Sequence, residues 1–221
     1  KGADVGARDV HQVTPLHDAC INGHMELAMA LVDRGADVDA SDKFQMTPLH
    51  WASYNGHMEV VMALMDRGAN VDARDDNQKT PLHDACSSGN MEVAMALVDR
   101  GANVDARSVD QCTPLHNACM KGNMEVVMAL VDRGADVNAR NVLQMTPLDY
   151  LSMENRDRLD SMINRNVGNV MSSMIQRTQE KDSARRISEL PEEIGRKVGS
   201  YLGGKRKTKK RKTRRRKTRK H

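Results

Sequence analysis

One four-residue motif recurs through the chain at a constant interval of 33 residues. Thr-Pro-Leu-His occupies residues 14–17, 47–50, 80–83 and 113–116, and it returns as Thr-Pro-Leu-Asp at 146–149. A fixed period with the same residues at the same phase indicates a stack of one supersecondary unit. A unit this small cannot bury its apolar side alone, so each must pack on its neighbours. The period therefore predicts a repeat solenoid.

The residues around the motif predict two short helices in each unit. Thr is a good N-cap, and Pro is tolerated at the first helical position. An isolated glycine then suits the left-handed residue that ends a short helix. In the second unit, residues 58–65 predict the second helix, Gly68 ends it, and residues 69–73 are expected to be extended.

With this motif and period the chain resembles the ankyrin-repeat family. The resemblance implies an all-α repeat solenoid of helix-turn-helix units with β-hairpin-like loops. Four complete repeats occupy residues 9–40, 41–73, 74–106 and 107–139, and a degenerate, more polar fifth repeat, from 140 to about 163, caps the stack. Residues 1–8 match the end of a repeat, so the sequence is expected to start inside one, with earlier repeats or a targeting segment before it.

Repetition argues against a catalytic or metal site. Histidines recur at 17, 50, 83 and 116 and aspartates at 33, 66, 99 and 132, whereas an active site needs one asymmetric set of groups. The family resemblance implies that the motif histidine hydrogen-bonds between loops. Cys20, Cys86 and Cys119 share one repeat position, which predicts small buried residues in a reducing, intracellular compartment. We expect no cofactor, no small-molecule substrate and, since no apolar run is long enough, no membrane span.

The resemblance places partner contacts at the loop tips before each motif and on the exposed side of each first helix. The tips vary among the repeats while the framework does not: they are Val10, His11 and Val13; Lys43, Phe44 and Met46; Asp76, Asn77 and Lys79; Val109, Asp110 and Cys112; Val142, Leu143 and Met145. From these regions we select as partner-binding residues Val10, His11, Lys43, Phe44, Met46, Trp51, Tyr54, Asp76, Asn77, Asp110 and Met120.

Three of the five aromatic residues, Phe44, Trp51 and Tyr54, lie in the second repeat. Aromatic side chains are frequent interface anchors, which makes this cluster the preferred hot spot. The alternative is that Trp51 and Tyr54 are half-buried framework residues.

Two repeated residues depart from the family pattern. Met29, Met62, Met95 and Met128 either fill volume left by the alanine that follows each of them or form an exposed docking stripe. Gln12, Gln45, Gln78, Gln111 and Gln144 stand where the family commonly has glycine, so the usual turn geometry is not assured.

Beyond the repeats, residues 164–186 are expected to form a helix and a linker, and 187–204 an amphipathic helix. The second segment is similar to the first helix of an F-box, which docks proteins onto Skp-type adaptors of cullin ubiquitin ligases. An F-box after ankyrin repeats is similar to an arrangement in large DNA viruses, and implies recruitment of host ligases. The adaptor-binding candidates are Leu190, Pro191, Ile194, Val198, Tyr201 and Leu202. The alternative is a plain helix that packs on its own protein.

The tail, residues 205–221, carries 13 of the 34 Lys and Arg and no acidic residue. The other 21 are set against 30 Asp and Glu, so residues 1–204 have a net charge of −9. We expect a disordered tail that binds nucleic acid or an import receptor, the alternative being a solubilising appendage that contacts the acidic body. Its candidate residues are Lys205, Arg206, Lys207, Lys210, Arg211, Lys212, Arg214, Arg215, Arg216 and Lys217.

The sequence thus favours a non-catalytic protein-interaction scaffold with a nuclear or polyanion-targeting tail, located in the nucleus or cytoplasm. The alternatives are a ubiquitin-ligase substrate adaptor and a protein that binds nucleic acid without sequence preference.

Overall fold

The computed structural model describes residues 4–161. The first compact unit ends at Asp157, and residues 158–161, in the second unit, are helical. The predictions for 164–186, 187–204 and 205–221 lie outside the described residues.

Paired helices follow the 33-residue period. The first, or inner, helices of the four repeats are α1 (Pro15–Ile21), α3 (Pro48–Asn55), α5 (Pro81–Ser88) and α7 (Pro114–Lys121). The second, or outer, helices are α2 (Met25–Asp33), α4 (Met58–Asp66), α6 (Met91–Asp99) and α8 (Met124–Asp132). Residues 4–161 contain no β-strand, and the all-α repeat solenoid is confirmed.

The inner helices pack side by side in one row and the outer helices in another. Their shared core contains fully buried leucines from the inner row, Leu16, Leu49, Leu82 and Leu115, and from the outer row, Leu64, Leu97 and Leu130. Burying one such side chain contributes about 1.5–3 kcal/mol. Cys20, Cys86 and Cys119 are buried in this core, as predicted.

Burial raises the pKa of the core thiols, to about 12 for Cys20 and Cys119. The thiolate is the reactive form of cysteine, so these side chains act as small apolar residues.

The fifth repeat replaces the inner α-helix with a 3₁₀ helix, Pro147–Tyr150. Asp149 accepts the Thr146 backbone N–H at 2.8 Å, so the carboxylate caps the turn as the motif histidine does elsewhere. Because a carboxylate has no proton to donate, Asp149 cannot make the inter-repeat hydrogen bond that each motif histidine makes.

One local expectation was wrong. Residues 69–73 are not simply extended, because the Ala73 N–H donates to the Asn70 carbonyl oxygen at 3.2 Å and closes a turn. The cause is the Asn70 side chain, whose Oδ1 accepts the Asp72 N–H at 3.0 Å. This is the local bond with which Asn competes against extended backbone.

The outer row carries inter-repeat ion pairs. Arg100 Nη2 lies 2.7 Å from Asp66 Oδ1, and Arg67–Asp33 and Arg133–Asp99 repeat the contact. Because both partners are exposed, each pair is worth only about 0–1 kcal/mol. Within residues 4–161, none of the helices combines the length and apolarity needed to cross a membrane.

Candidate functional site

The four motif histidines join each repeat to the next. In each, Nδ1 accepts the backbone N–H of the Thr three residues earlier, at 3.0 to 3.2 Å. The other nitrogen, Nε2, lies 3.1 to 3.3 Å from the carbonyl oxygen of Met46, Lys79, Cys112 or Met145 in the next repeat. A carbonyl oxygen only accepts, so Nε2 carries the proton and the ring is neutral. The role implied by the family resemblance is therefore observed.

Burial lowers the pKa of all four rings, to about 4 for His83. Both ring nitrogens are already engaged in bonds that the fold needs. These histidines are structural ties, and their repetition has a structural cause.

The loop tips are also tied to one another. At the base of each of the first three, an aspartate Oδ1 accepts two N–H groups of its own tip; for Asp75 the donors are Asn77 at 2.9 Å and Lys79 at 2.7 Å. Backbone bonds then join neighbouring tips: Lys43 to His11, Asp76 to Phe44, Val109 to Asn77 and Val142 to Asp110, all at 2.8 to 3.0 Å. The tips are thus held in one row.

The tip glutamines occupy the turn position expected for glycine. Gln12, Gln45, Gln78, Gln111 and Gln144 all have φ between 59° and 61°, the left-handed region. The turn therefore has a left-handed residue at this position, at the cost of the strain that a Cβ meets there, roughly 1–2 kcal/mol per residue.

We call the row of tips together with the inner helices the tip–helix face. The selected candidates occupy it with different exposures: Val10 is 89% exposed, Phe44 53%, Tyr54 49% and Met120 45%. His11, Lys43, Asp76, Asn77 and Asp110 are also exposed, and Met46 and Trp51 are half-buried.

The second-repeat aromatic residues differ in what they contact. Lys43 Nζ lies 4.8 Å from the centroid of the Phe44 ring, which is otherwise open to solvent. Trp51 Nε1 donates to Asp42 Oδ2 at 3.1 Å, so the indole has a framework contact as well as an accessible edge. The methionine ladder is half-buried in all four repeats, which favours gap filling over a docking stripe.

The shorter selection of partner-binding residues omitted part of the face. Val109, Val142 and Leu143, which the sequence places among the tip residues of the last two repeats, are 58%, 56% and 69% exposed. The signal was available, since three apolar side chains stand at tip positions that are polar in the third repeat.

A second set of inter-repeat ties was also missed. The residues before the outer helices α4, α6 and α8 reach back to the inner helix of the preceding repeat: His57 Nε2 to Ile21 O at 3.0 Å, Asn90 Nδ2 to Tyr54 O at 2.9 Å and Asn123 Nδ2 to Cys86 O at 2.9 Å. The donors satisfy carbonyl groups that a helix end leaves unpaired. The only indication of these bonds in the sequence was a His or Asn residue at the same position of successive repeats.

The family model for ankyrin repeats in three copies matches residues 16–108, 71–141 and 102–165. These matches cover well over half of the chain, which therefore belongs to the ankyrin-repeat family. Comparison with curated proteins gave no match. Ankyrin stacks are typically non-catalytic, and the repeats indicate that this chain is a scaffold for protein–protein interaction.

Proposed function

We propose that this ankyrin stack binds a protein partner through its tip–helix face. The proposal rests on the positions of the large apolar side chains that remain exposed. Of nine exposed large apolar residues in the described part of the chain, seven lie on this face. They are Val10, Phe44, Val109, Val142 and Leu143 on the tips and Tyr54 and Met120 on the inner helices. Apolar side chains concentrated on one face are typical of an interaction site.

The face has two apolar regions with a polar centre. Phe44 and Tyr54 provide the first, in the second repeat; Val142 and Leu143 with Val109 provide the other, at the last two tips. The third-repeat tip between them is polar. A partner that fits must present apolar side chains to both ends and polar groups to the middle.

The backbone bonds between tips favour binding. They fix the row before a partner arrives, so less conformational entropy is lost on association. The partner can therefore be held by a few anchors, of which Phe44 is the first choice.

The test is partner affinity with matched variants of the full chain. A partner captured from nuclease-treated lysate is titrated against the parent chain, Phe44→Ala, Leu143→Ala and Glu92→Ala. Glu92 is exposed on the outer helix α6 and serves as the control. We expect Kd to rise about tenfold or more for the two tip variants and to stay unchanged for the control. Unchanged affinity in both tip variants, with or without a loss at Glu92, contradicts the proposal.

A second proposal rests on residues 187–204, which lie outside the described residues. The F-box-like pattern supports an adaptor that brings a partner on the tip–helix face to a cullin ubiquitin ligase, in a host cell if the chain is viral. A Skp-type adaptor should co-purify with the whole chain and be lost from a chain that ends at Arg186. If the adaptor co-purifies with neither chain, the adaptor proposal is rejected, and the proposal of partner binding through the tip–helix face is unaffected.

A third proposal concerns residues 205–221, also outside the described part. Their 13 Lys and Arg support binding of a polyanion or an import receptor, and hence nuclear localisation. Nucleic-acid affinity should fall steeply with added salt, since binding of this kind releases counterions. A Kd that does not change with salt rejects nucleic-acid binding.

A further inference from the structure

An arginine just before the loop tip ties the first, third and fourth tips to the repeat that follows each of them. Arg74 Nη1 donates to the carbonyl oxygen of Gln78, on its own tip, at 3.0 Å. The same nitrogen donates to the carbonyl oxygen of Arg107, the equivalent residue of the next repeat, at 2.9 Å. Arg8 and Arg107 make the same two bonds at 2.7 to 3.4 Å. One guanidinium thus bridges two backbone carbonyl oxygens from neighbouring repeats.

The second tip has Ser41 at this position, and a serine side chain is too short to bridge the two oxygens. The equivalent acceptors are the carbonyl oxygens of Gln45 and Arg74, and within residues 4–161 neither accepts a hydrogen bond. The tip backbone is otherwise unchanged, since Gln45 has φ of 60° and the Asp76 N–H donates to Phe44 O at 3.0 Å. The two acceptors are therefore held in the arrangement that binds a guanidinium at three other tips.

This position lies at the protein surface. Gln45 and Arg74 are exposed, and Ser41 is half-buried. Arg8 and Arg74 remain exposed while they make the equivalent bonds, so a guanidinium at such a position is in contact with solvent. A serine in place of the arginine leaves the two oxygens accessible to a side chain from another molecule.

We propose that the carbonyl oxygens of Gln45 and Arg74 form a binding site for an arginine side chain of the protein partner. This inference rests on the proposed function, and it names one contact by which the row of tips selects its partner. Arginine is the fitting side chain because the chain itself uses arginine for the same pair of acceptors at three tips. Its planar guanidinium has five donors, whereas lysine offers a compact charge without that fork.

The charges around the second tip favour a cation at this site. Burial lowers the pKa of all four motif histidines, and an arginine charge lowers it further for three of them: Arg8 for His17, Arg74 for His83 and Arg107 for His116. The charges that act on His50 are those of Asp75 and Asp42, which raise its pKa. Lys43, the cation of the second tip, points to the first tip, where its Nζ lies 2.7 Å from His11 Nδ1. A partner's arginine would therefore restore the charge pattern of the other repeats.

The test uses Nα-acetyl-arginine amide as the probe and the isotope-labelled full chain as the protein. A hydrogen bond to a carbonyl oxygen changes the NMR shifts of its carbonyl carbon and of the amide nitrogen that follows. We therefore expect saturable shifts at the carbonyl carbons of Gln45 and Arg74 and at the amides of Met46 and Asp75. Nα-acetyl-lysine amide, which has the same charge without the planar fork, should bind more weakly.

Two variants move the site. Ser41→Arg supplies the guanidinium from the chain itself, so the shifts caused by the probe should disappear and the free energy of unfolding should rise. Arg107→Ser removes the guanidinium from the fourth tip, so a second set of shifts should appear at the carbonyl carbons of Gln111 and Arg140. Glu92→Gln is the control, because Glu92 is exposed on the outer helix α6, and it should bind the probe as the parent does.

The captured partner is then titrated against the parent chain and Ser41→Arg. The Kd should rise about tenfold or more in the variant, because the partner loses hydrogen bonds from a charged donor. This measurement is separate from the test of the proposed function, which uses Phe44→Ala and Leu143→Ala. A partner whose affinity falls in those two variants and not in Ser41→Arg binds through the face without placing an arginine in this site.

The arginine site is overturned if no saturable shift occurs at Gln45 and Arg74, or if Ser41→Arg keeps the shifts that the parent shows. It is also overturned if lysine amide binds as tightly as arginine amide, since the surface then attracts any cation. Saturable binding of the probe with an unchanged partner Kd in Ser41→Arg overturns the use of the site by the partner.

Discussion

His50 Nε2 lies 3.3 Å from the backbone carbonyl oxygen of Lys79, which is 29 residues further along the chain. On its other side, the same ring accepts the Thr47 N–H at 3.0 Å and so caps α3. One side chain therefore fixes both the start of its own helix and the position of the next loop. This double role explains why the motif repeats without change through four repeats.

Replacing one of these histidines should weaken the whole stack. His83→Ala leaves the Thr80 N–H and the Cys112 carbonyl oxygen without their partner, at an expected cost of about 2–4 kcal/mol. His24→Ala is the control, since this histidine is exposed and its side chain does not cap α2. Urea denaturation, followed by circular dichroism, measures the free energy of unfolding of both variants. Equal losses in the two variants would refute the tie.

Stability should fall on mild acidification. Burial holds the pKa of His83 at about 4, below its ordinary value of 6.5, and lowers the pKa of the other three motif histidines too. Between these values the unfolded chain binds more protons than the folded one. The histidine contribution is therefore present above about pH 6.5 and is lost as pH falls toward about 4.

Asp84 opposes this trend. Its folded pKa of about 7 lies above its ordinary value of 3.8, so over the same range it gains a proton on folding and favours the folded state at lower pH. Asp84→Asn should therefore lose stability more steeply than the parent between about pH 7 and about pH 5. The measurement is the free energy of unfolding across that range. A rise in the stability of Asp84→Asn on acidification would be inconsistent with buried neutral histidines.

Removing the Cβ from a tip should relieve strain. Gln78 has φ of +59°, so Gln78→Gly is expected to gain about 0.5–1 kcal/mol after the extra entropy of glycine in the unfolded chain is subtracted. Gln78→Ala keeps the Cβ and the strain, and should leave stability nearly unchanged. Thermal melts of the parent chain and the two variants distinguish an effect of the glutamine side chain from an effect of backbone strain. If both variants shift the melting temperature alike, the strain is not at this φ.

The inter-repeat asparagine can be tested through the glycine beside it. Gly56 has φ of +77°, and a Cβ there would lie 2.7 Å from Asn90 Oδ1. Gly68→Ala is the matched control, because Gly68 also has a positive φ but no atom within 4 Å of the added Cβ. Gly56→Ala should cost more than the control by about 1 kcal/mol or more, the contribution of a displaced hydrogen-bonded side chain. Equal costs would mean that the Asn90 contact contributes nothing.

The sequence predicted what local chemistry determines. Thr and Pro mark the start of each inner helix because capping acts within three residues, and the buried leucines follow from helical spacing. The Asn90 tie could not be predicted, since it joins residues 36 and 37 positions apart through a geometry that appears only when repeats stack. The tip turn was uncertain because glutamine rarely adopts a positive φ. In the third repeat, Asp75 accepts the N–H groups of Asn77 and Lys79, on either side of Gln78, and these bonds hold the glutamine in this conformation.

The most direct test of the central claim is site-specific photo-cross-linking of the full chain. Benzoylphenylalanine is placed at Phe44 on the second tip, at Leu143 on the fifth tip, or at Glu92 on the outer helix, and cross-linked proteins are identified by mass spectrometry. The account predicts the same protein partner from positions 44 and 143 and none from position 92. A partner cross-linked from position 92 alone would contradict binding through the tip–helix face.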